Sequence, residues 1–505
     1  MGLGSLVLFG VLSGASPSPA AAPVAPPPLV AVGPFGTASA EEHHWLSFAL
    51  AEMLVARLGR GRDVSVLSVR QWGAVLRERD LALVPLQSDG ELRSVGRSLG
   101  ARYVLHGSYV ARWPEVTVQV RILDVSGGPT RVGAQATALL QDVATLEDAL
   151  VTQLSKVLGL QVPPAGRPRN TLALHHAMRC RELLLWQSLT PRAPPMVPRA
   201  AAAQAEESCN KALARDARDA DALEGRGLAR ALQGDVPGAL QSLAAAQLAR
   251  GAPDMAEVAE SWIHFRSGDG ARAVAVLEKA VEKRPTFLHA RGVLGQTLLE
   301  LGRLAEAATV FEAYLRLAPN QPWALAMLGY ARARGGDPHG GVELTRAALA
   351  VAPGDPWLQL ELASRYIDAK DYPAAEGVLR QAVQVDPQSA VGYLRLGYVF
   401  VLQGEDGLAR PMLQKALMEA DLEAEYRVRG YAHVDLARLD ARAGATAGAL
   451  HHLRQAVAEG FINVDAWETD PDLRALHKDP SFGQVLAQGR TARARWALLP
   501  DGMAP

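Results

Sequence analysis

Gly234, Gly268, Gly302, Gly336 and Gly404 are separated by 34 residues or a multiple of it, and this spacing restricts the chain more than any other feature. With Leu288 as position 1, Gly295, Gly302, Ala307, Phe311 and Pro319 stand at positions 8, 15, 20, 24 and 32. The same register returns from Asp254 (Gly268, Ala273, Leu277, Ala280, Pro285) and from Pro322 (Gly329, Gly336, Ala348, Pro353). It continues from Pro356 (Ala363, Tyr366, Ala375, Leu379, Pro387) and from Ala390 (Leu396, Gly397, Gly404, Ala409, Leu413). Upstream it reaches Ala220 (Gly227, Gly234, Ala239, Leu243, Ala246). Downstream, after a slip, it resumes near Gly430 (Leu436, Gly444, Ala449, Leu453). Most periods hold two helical stretches with a Gly between them, and several have a Pro behind the second. A pair of that size cannot bury its apolar face alone, so the pairs must stack.

Those positions resemble the tetratricopeptide (TPR) repeat family. The resemblance implies a superhelical solenoid of about eight units over residues 170–463. Small residues at 8, 20 and 27 allow the two helices of a unit to cross closely, and the bulky residue at 24 plugs the gap to the next unit. The first of the eight units is degenerate, pairing helices near Leu172–Leu185 and Ala200–Ala214 around the loop TPRAPPMVP. In the TPR fold, positions 2, 5, 9 and 12 of the first helix face the concave surface. Carried over, they give Trp262, Phe265, Trp323, Tyr330, Trp357, Leu360, Ile367, Leu394, Tyr398 and Tyr431. That set is aromatic-rich for a chain with 6% aromatic residues, and aromatic anchors in a concavity suit a protein or peptide ligand. The opposing reading wedges Trp323 and Trp357 between neighbouring helices. The tail after Gly460 breaks the repeat; residues 464–505 suit a capping element.

Residues 29–160 read differently. LVAVGPF (Leu29–Phe35) and DVSVLSV (Asp63–Val69) are strand-like, and Glu41–Leu58 is amphipathic at helical spacing. Helices are expected near Gln71–Arg79 and Asp89–Leu99, then a hairpin turning near Pro114, a third strand in GAQATALLQ, and a helix over Asp142–Leu158. This order, with LGARYVLHGSYVARWPEVTVQVRILDVSGG as the best-matched stretch, is similar to the amino-terminal domain of TolB and to the related fold of CsgG. The fold class expected is α+β multidomain: a small α/β domain followed by an all-α TPR solenoid. In these relatives the module has no known active site, which implies assembly rather than chemistry.

The first 28 residues pair an apolar run, MGLGSLVLFGVLSGA, with a Pro/Ala-rich linker. The run is shorter than the ~20 residues of a membrane span and reads as a signal-peptide core with small residues at Ala20–Ala22, although no Lys or Arg precedes it. A disordered cytosolic tail is the opposing reading. Two localisations follow: a periplasmic or exported scaffold, or a cytosolic regulatory module related to cyclase and transcription-factor architectures. Any membrane contact would run through an uncleaved amino-terminal segment.

With 52 Lys+Arg against 53 Asp+Glu, the chain offers no field to collect a polyanion, so nucleic acid is not an expected partner. GxxxxGK[ST], GxSxG and HExxH are absent, and Gly59–Arg60–Gly61–Arg62 reads as a turn. No catalytic residue, cofactor, metal or small-molecule substrate is expected. The pairs His43–His44, His175–His176 and His451–His452 are read as solvated helix surface, because adjacent helical residues diverge by about 100°. Cys180 and Cys209 fall on the two helices of the degenerate unit; a disulfide and two buried thiols are both compatible with that placement.

Overall fold

The computed structural model describes residues 28–37, 46–59, 61, 63–67, 88–163, 171–184, 197, 199–250, 255–285, 287–420, 426–459, 461 and 464–498. The signal-like segment before Pro28, His43, His44, the helix expected at 71–79, Arg60, Arg62 and nearly all of the TPRAPPMVP loop lie outside the described residues.

The amino-terminal unit is a mixed sheet with three described helices. In chain order these are β1 (Leu29–Thr37), α1 (Leu46–Leu58), β2 (Ser65–Leu67), α2 (Asp89–Ser98), β3 (Tyr103–Arg112), β4 (Glu115–Asp124), β5 (Arg131–Leu139) and α3 (Val143–Leu158). The strand order is β2-β1-β3-β4-β5; β1 runs parallel to β2 and β3, while β3–β4 and β4–β5 are antiparallel. Alternation along β4 explains its two faces. Val116, Val118, Val120 and Ile122 are buried in a core shared with α1 and α3, and Thr117, Gln119 and Arg121 point the other way. On that second face α2 covers Leu123, Ala31 and Val104 through Leu92 and Val95. Helix α2 begins with a capping box between Ser88 and Glu91.

Helix pairs follow: α4 (Thr171–Leu183) with α5 (Arg199–Leu213), α6 (Ala220–Gln233) with α7 (Val236–Arg250), α8 (Met255–Arg266) with α9 (Gly270–Lys283), and α10 (Leu288–Glu300) with α11 (Leu304–Leu317). The series continues with α12 (Pro322–Arg334) and α13 (Pro338–Val351), α14 (Pro356–Asp368) and α15 (Tyr372–Val385), α16 (Ala390–Gln403) and α17 (Asp406–Glu419), and α18 (Tyr426–Arg442) and α19 (Thr446–Ala458).

The repeat positions acquire physical reasons here. A Cβ on Gly295 would lie 2.6 Å from the Phe311 ring, and one on Gly227 or Gly397 would lie 2.7 Å from Leu243 or Leu413. The glycine at position 8 therefore lets the side chain at position 24 drop onto the backbone of its own unit's first helix. Phe311 also meets Trp323 of the next unit edge-on, at 5.7 Å between centroids. Position 15 adopts positive φ at Gly234, Gly268, Gly302, Gly336, Gly404 and Gly444, and Lys370 takes the same conformation at φ 59°. The next residue, Asp at 235, 269, 337 and 371, accepts a backbone N–H of the second helix and caps it.

The far end is closed by two short 3-10 turns (Val464–Glu468 and Pro471–Lys478) and by α20 (Pro480–Leu498). Trp467, Leu473, Leu476 and Val485 are buried against Val434, Leu453 and Ala456 of the last pair. Arg438 and Arg442 reach Asp470 and Asp472 across the same junction.

Candidate functional site

The first helices of successive pairs, α6 through α18, pack against one another and form the inner wall of the stack. Burial along it is uneven. Ala220–Gly225 of α6 are six consecutive buried residues, and in α8 Ala256–Ala259 and Ser261–His264 are buried. At 3.6 residues per turn such runs enclose more than a full turn, so the chain itself fills these stretches; Ala432–Ala437 of α18 is an equally buried run, with Tyr431 beside it 53% exposed.

Part of the filling is a buried charge cluster. Arg181 of α4 donates to Glu52 of α1 at 2.7 Å and also to Asp221 of α6. Burial opposes the charge on Arg181, but Glu52 and Asp221 outweigh it and raise its pKa. Further along, Leu92, Val95 and Leu99 share a cluster with Leu288, Tyr314, Ala318 and Ala324. Ser98 donates to Asp355 at 2.9 Å in a buried contact, and Gly100 approaches Asn320 and Gln321. Asp355 and Gln321 precede α14 and α12 at equivalent repeat positions, so α2 rests on the rim of two successive units.

The ten residues assigned to the groove therefore divide. Trp262 is 4% exposed and belongs to the shared core, and Phe265 on the same helix is half-buried. The expectation that Trp262 presents an open surface is corrected: the amino-terminal domain and first units bury a single core running from Val30 to Ala331. Trp323 is wedged between helices, edge-on to Phe311 and Tyr314 and close to Gly292. Tyr330 lies beneath the Arg365 guanidinium at 4.8 Å. Trp357 packs partly against Ala326, Ala352 and Leu358, again between helices. Leu360, Ile367, Leu394 and Tyr398 are half-buried on α14 and α16, and Tyr431 of α18 is 53% exposed. Burial raises the Tyr398 hydroxyl pKa, favouring the neutral phenol.

Four arginines in this second half are paired with carboxylates. Arg365 pairs with Asp368 at 3.0 Å and Arg395 with Glu361 at 3.2 Å. Arg438 pairs with Asp435 at 2.5 Å, and Arg442 with Asp406 at 2.9 Å. The charge on these four arginines is thus balanced by carboxylates of the chain itself.

Cys180 and Cys209 are fully buried with their sulfurs 2.18 Å apart, under Gly225 of α6, where a Cβ would meet both. The reading of the histidine pairs as solvated is corrected in part. His176 is half-buried and stacked on His175, and His452 is half-buried with its Nδ1 3.1 Å from Nδ1 of His433, a residue the sequence reading passed over. Burial, with His452 and Arg429 nearby, pushes the His433 pKa down to about 4. Among the described residues no cluster of three or more His, Cys, Asp or Glu side chains could hold a metal ion, and no helix is long and apolar enough to cross a membrane.

A stack of helix pairs with a continuous inner wall defines a helical-repeat protein. Residues 258–322 and 333–395 each match a family model described as tetratricopeptide repeat, so the solenoid carries TPR units. Cellulose synthase 2 operon protein C of Komagataeibacter xylinus is 34% identical over 143 residues, which are 28% of this chain and 11% of that protein. Phagocyte signaling-impaired protein of Drosophila pseudoobscura pseudoobscura is 28% identical over 180 residues, 33% of this chain and 19% of that protein. The chain thus spans well under a quarter of the length of these two relatives. Among solved structures, a tetratricopeptide repeat protein from Parabacteroides merdae covers 54% of this chain and 98% of its own length at 15% identity, with a TM-score of 0.42. The type IV pilus biogenesis factor PilW covers 44% of this chain and 97% of its own length at 18% identity, with a TM-score of 0.36. The amino-terminal sheet lies outside both family matches.

Proposed function

We propose that this protein is a non-catalytic scaffold of the bacterial cell envelope that binds a protein or peptide on the inner wall of its second half, from α14 to α18. The observation that carries the reading is the accessible apolar and aromatic surface on this stretch: Leu360, Leu394 and Tyr398 are half-buried and Tyr431 is 53% exposed, whereas Trp262 on α8 is 4% exposed. Apolar contact there contributes about 25 cal/mol per Å² buried. The amino-terminal sheet, read as TolB-like, serves as a second assembly surface held rigidly on the first repeats. The apolar amino-terminal run followed by small residues at Ala20–Ala22 is the feature that supports placement in the envelope.

The test is capture of partners from an envelope extract with the full chain, in parallel with a Tyr398→Ala/Tyr431→Ala variant. Loss of a captured protein from the variant, with unchanged circular dichroism and melting, is the expected result. Retention of every captured protein by the folded variant would overturn the inner-wall reading.

A further inference from the structure

The sheet ends at β5, nine residues whose outer edge has no neighbouring strand among the described residues. At its centre the backbone of Gln135 is engaged by a side chain. The Gln135 N–H donates to Oε1 of Gln153 at 3.1 Å, and Nε2 of Gln153 donates to the Gln135 carbonyl at 2.9 Å. Gln153 lies on α3, so one carboxamide supplies the donor and acceptor that an adjacent strand would present. In an antiparallel ladder, residues alternate between pairs bonded to their neighbour and pairs whose groups point outward. The Gln135 groups meeting Gln153 identify Gln135 as outward-pointing, the position at which an added strand would begin pairing. On β5 itself Val132 is 55% exposed and Leu139 41%, beside exposed Gln135 and Thr137.

We infer that Gln153 is an edge guard, a side-chain substitute for a strand that stops β5 from pairing with β5 of a second copy of this chain. The second copy is the occupant that β5 itself specifies. Gln135 is the middle residue of Arg131–Leu139, so a twofold antiparallel pairing places Gln135 opposite its own mate. The outward groups of each then bond to the other, and Val132 and Leu139 lie on the lengthened sheet. Unprotected edges of this length pair readily, and natural sheets block them with local devices. The carboxamide hydrogen bonds compete directly with that pairing, because both use the same two backbone groups.

The experiment is the molar mass of the full-length, oxidised protein by light scattering after size exclusion, across a concentration series. Wild type is expected to be a monomer, and Gln153→Ala, a substitution at an exposed helical position, is expected to double in mass. Adding Gln135→Lys to that variant sets two lysines face to face in the twofold pair and should return the mass to that of a monomer. A wild-type dimer, an unchanged mass for Q153A, or a Q153A dimer that survives Q135K would each overturn the inference.

Discussion

Gly100 gives the sharpest test of how the amino-terminal domain sits on the repeats. It follows α2 with φ +61°, and a Cβ there would lie 2.5 Å from Oε1 of Gln321 and 2.7 Å from the Asn320 carbonyl. Gly159 follows α3 with φ +69° and would meet nothing within 4 Å. Gly→Ala at either site carries the same left-handed strain, about 1–2 kcal/mol, less the roughly 0.4–1 kcal/mol gained by stiffening the unfolded chain. Only Gly100→Ala also drives a methyl group into the rim of the solenoid. The Gln321 side chain can turn away, but the Asn320 carbonyl is backbone and cannot. Overpacking of that kind costs about 1–3 kcal/mol, so G100A should lose about 2–4 kcal/mol where G159A loses about 1. The loss should be local, with the Ser98–Asp355 hydrogen bond and the packing of Leu99 on Tyr314 and Ala318 opening together. Hydrogen exchange followed by mass spectrometry reads this directly: peptides over 88–101 and 314–325 should exchange faster in G100A and stay at wild-type rates in G159A. Equal behaviour of the two variants in those peptides would refute the docked arrangement.

Two further predictions follow from the first repeat pair and the last. His433 titrates at about 4 in the folded chain against 6.5 as its ordinary value, so the unfolded state takes up its proton first as the pH falls. Stability from this group is intact above pH 6.5 and is lost towards pH 4. Asp435, pushed up to about 6 by burial, works in the opposite sense between pH 6 and 3.8 and masks much of that loss. The difference between wild type and His433→Gln isolates the histidine: wild type should lose up to about 3 kcal/mol relative to the variant between pH 7 and 4, read from paired melts. Parallel curves would contradict the buried imidazole pair. At the other end, the link between Cys180 and Cys209 spans 29 residues, for which loop-closure entropy gives about 3–4 kcal/mol. Cys180→Ser/Cys209→Ser should therefore raise hydrogen exchange in α4 to α6, and unchanged protection there would show that the link contributes nothing.

The residues that repeat every 34 positions made the solenoid legible because their constraints are local. A left-handed turn calls for Gly at position 15, an aspartate caps the helix that begins one residue later, and a missing Cβ at position 8 admits Phe311 or Leu243. Each is settled within one unit, so periodicity exposes it. Lys370 shows the limit of reading by residue type: it occupies the glycine position of its unit and takes the same positive φ, because the helices on either side fix that turn. The hairpin of β3 and β4, turning near Pro114, was legible for the same local reason.

What the sequence could not disclose is where one part of the chain covers another. Position in the repeat nominated Trp262 and Tyr431 alike, yet one is buried in a common core and the other faces solvent. The partners that decide this stand far apart in the chain: Arg181 and Glu52 by 129 residues, Ser98 and Asp355 by 257. No periodic pattern encodes such pairs, because a buried arginine and an exposed one look alike until the surface that removes their water is in place. The linear order of residues determined that helical pairs must stack and which turns separate them; only the folded chain decided which stretch of the inner wall stays open to another protein, since burial belongs to whatever packs against a residue and not to the residue itself.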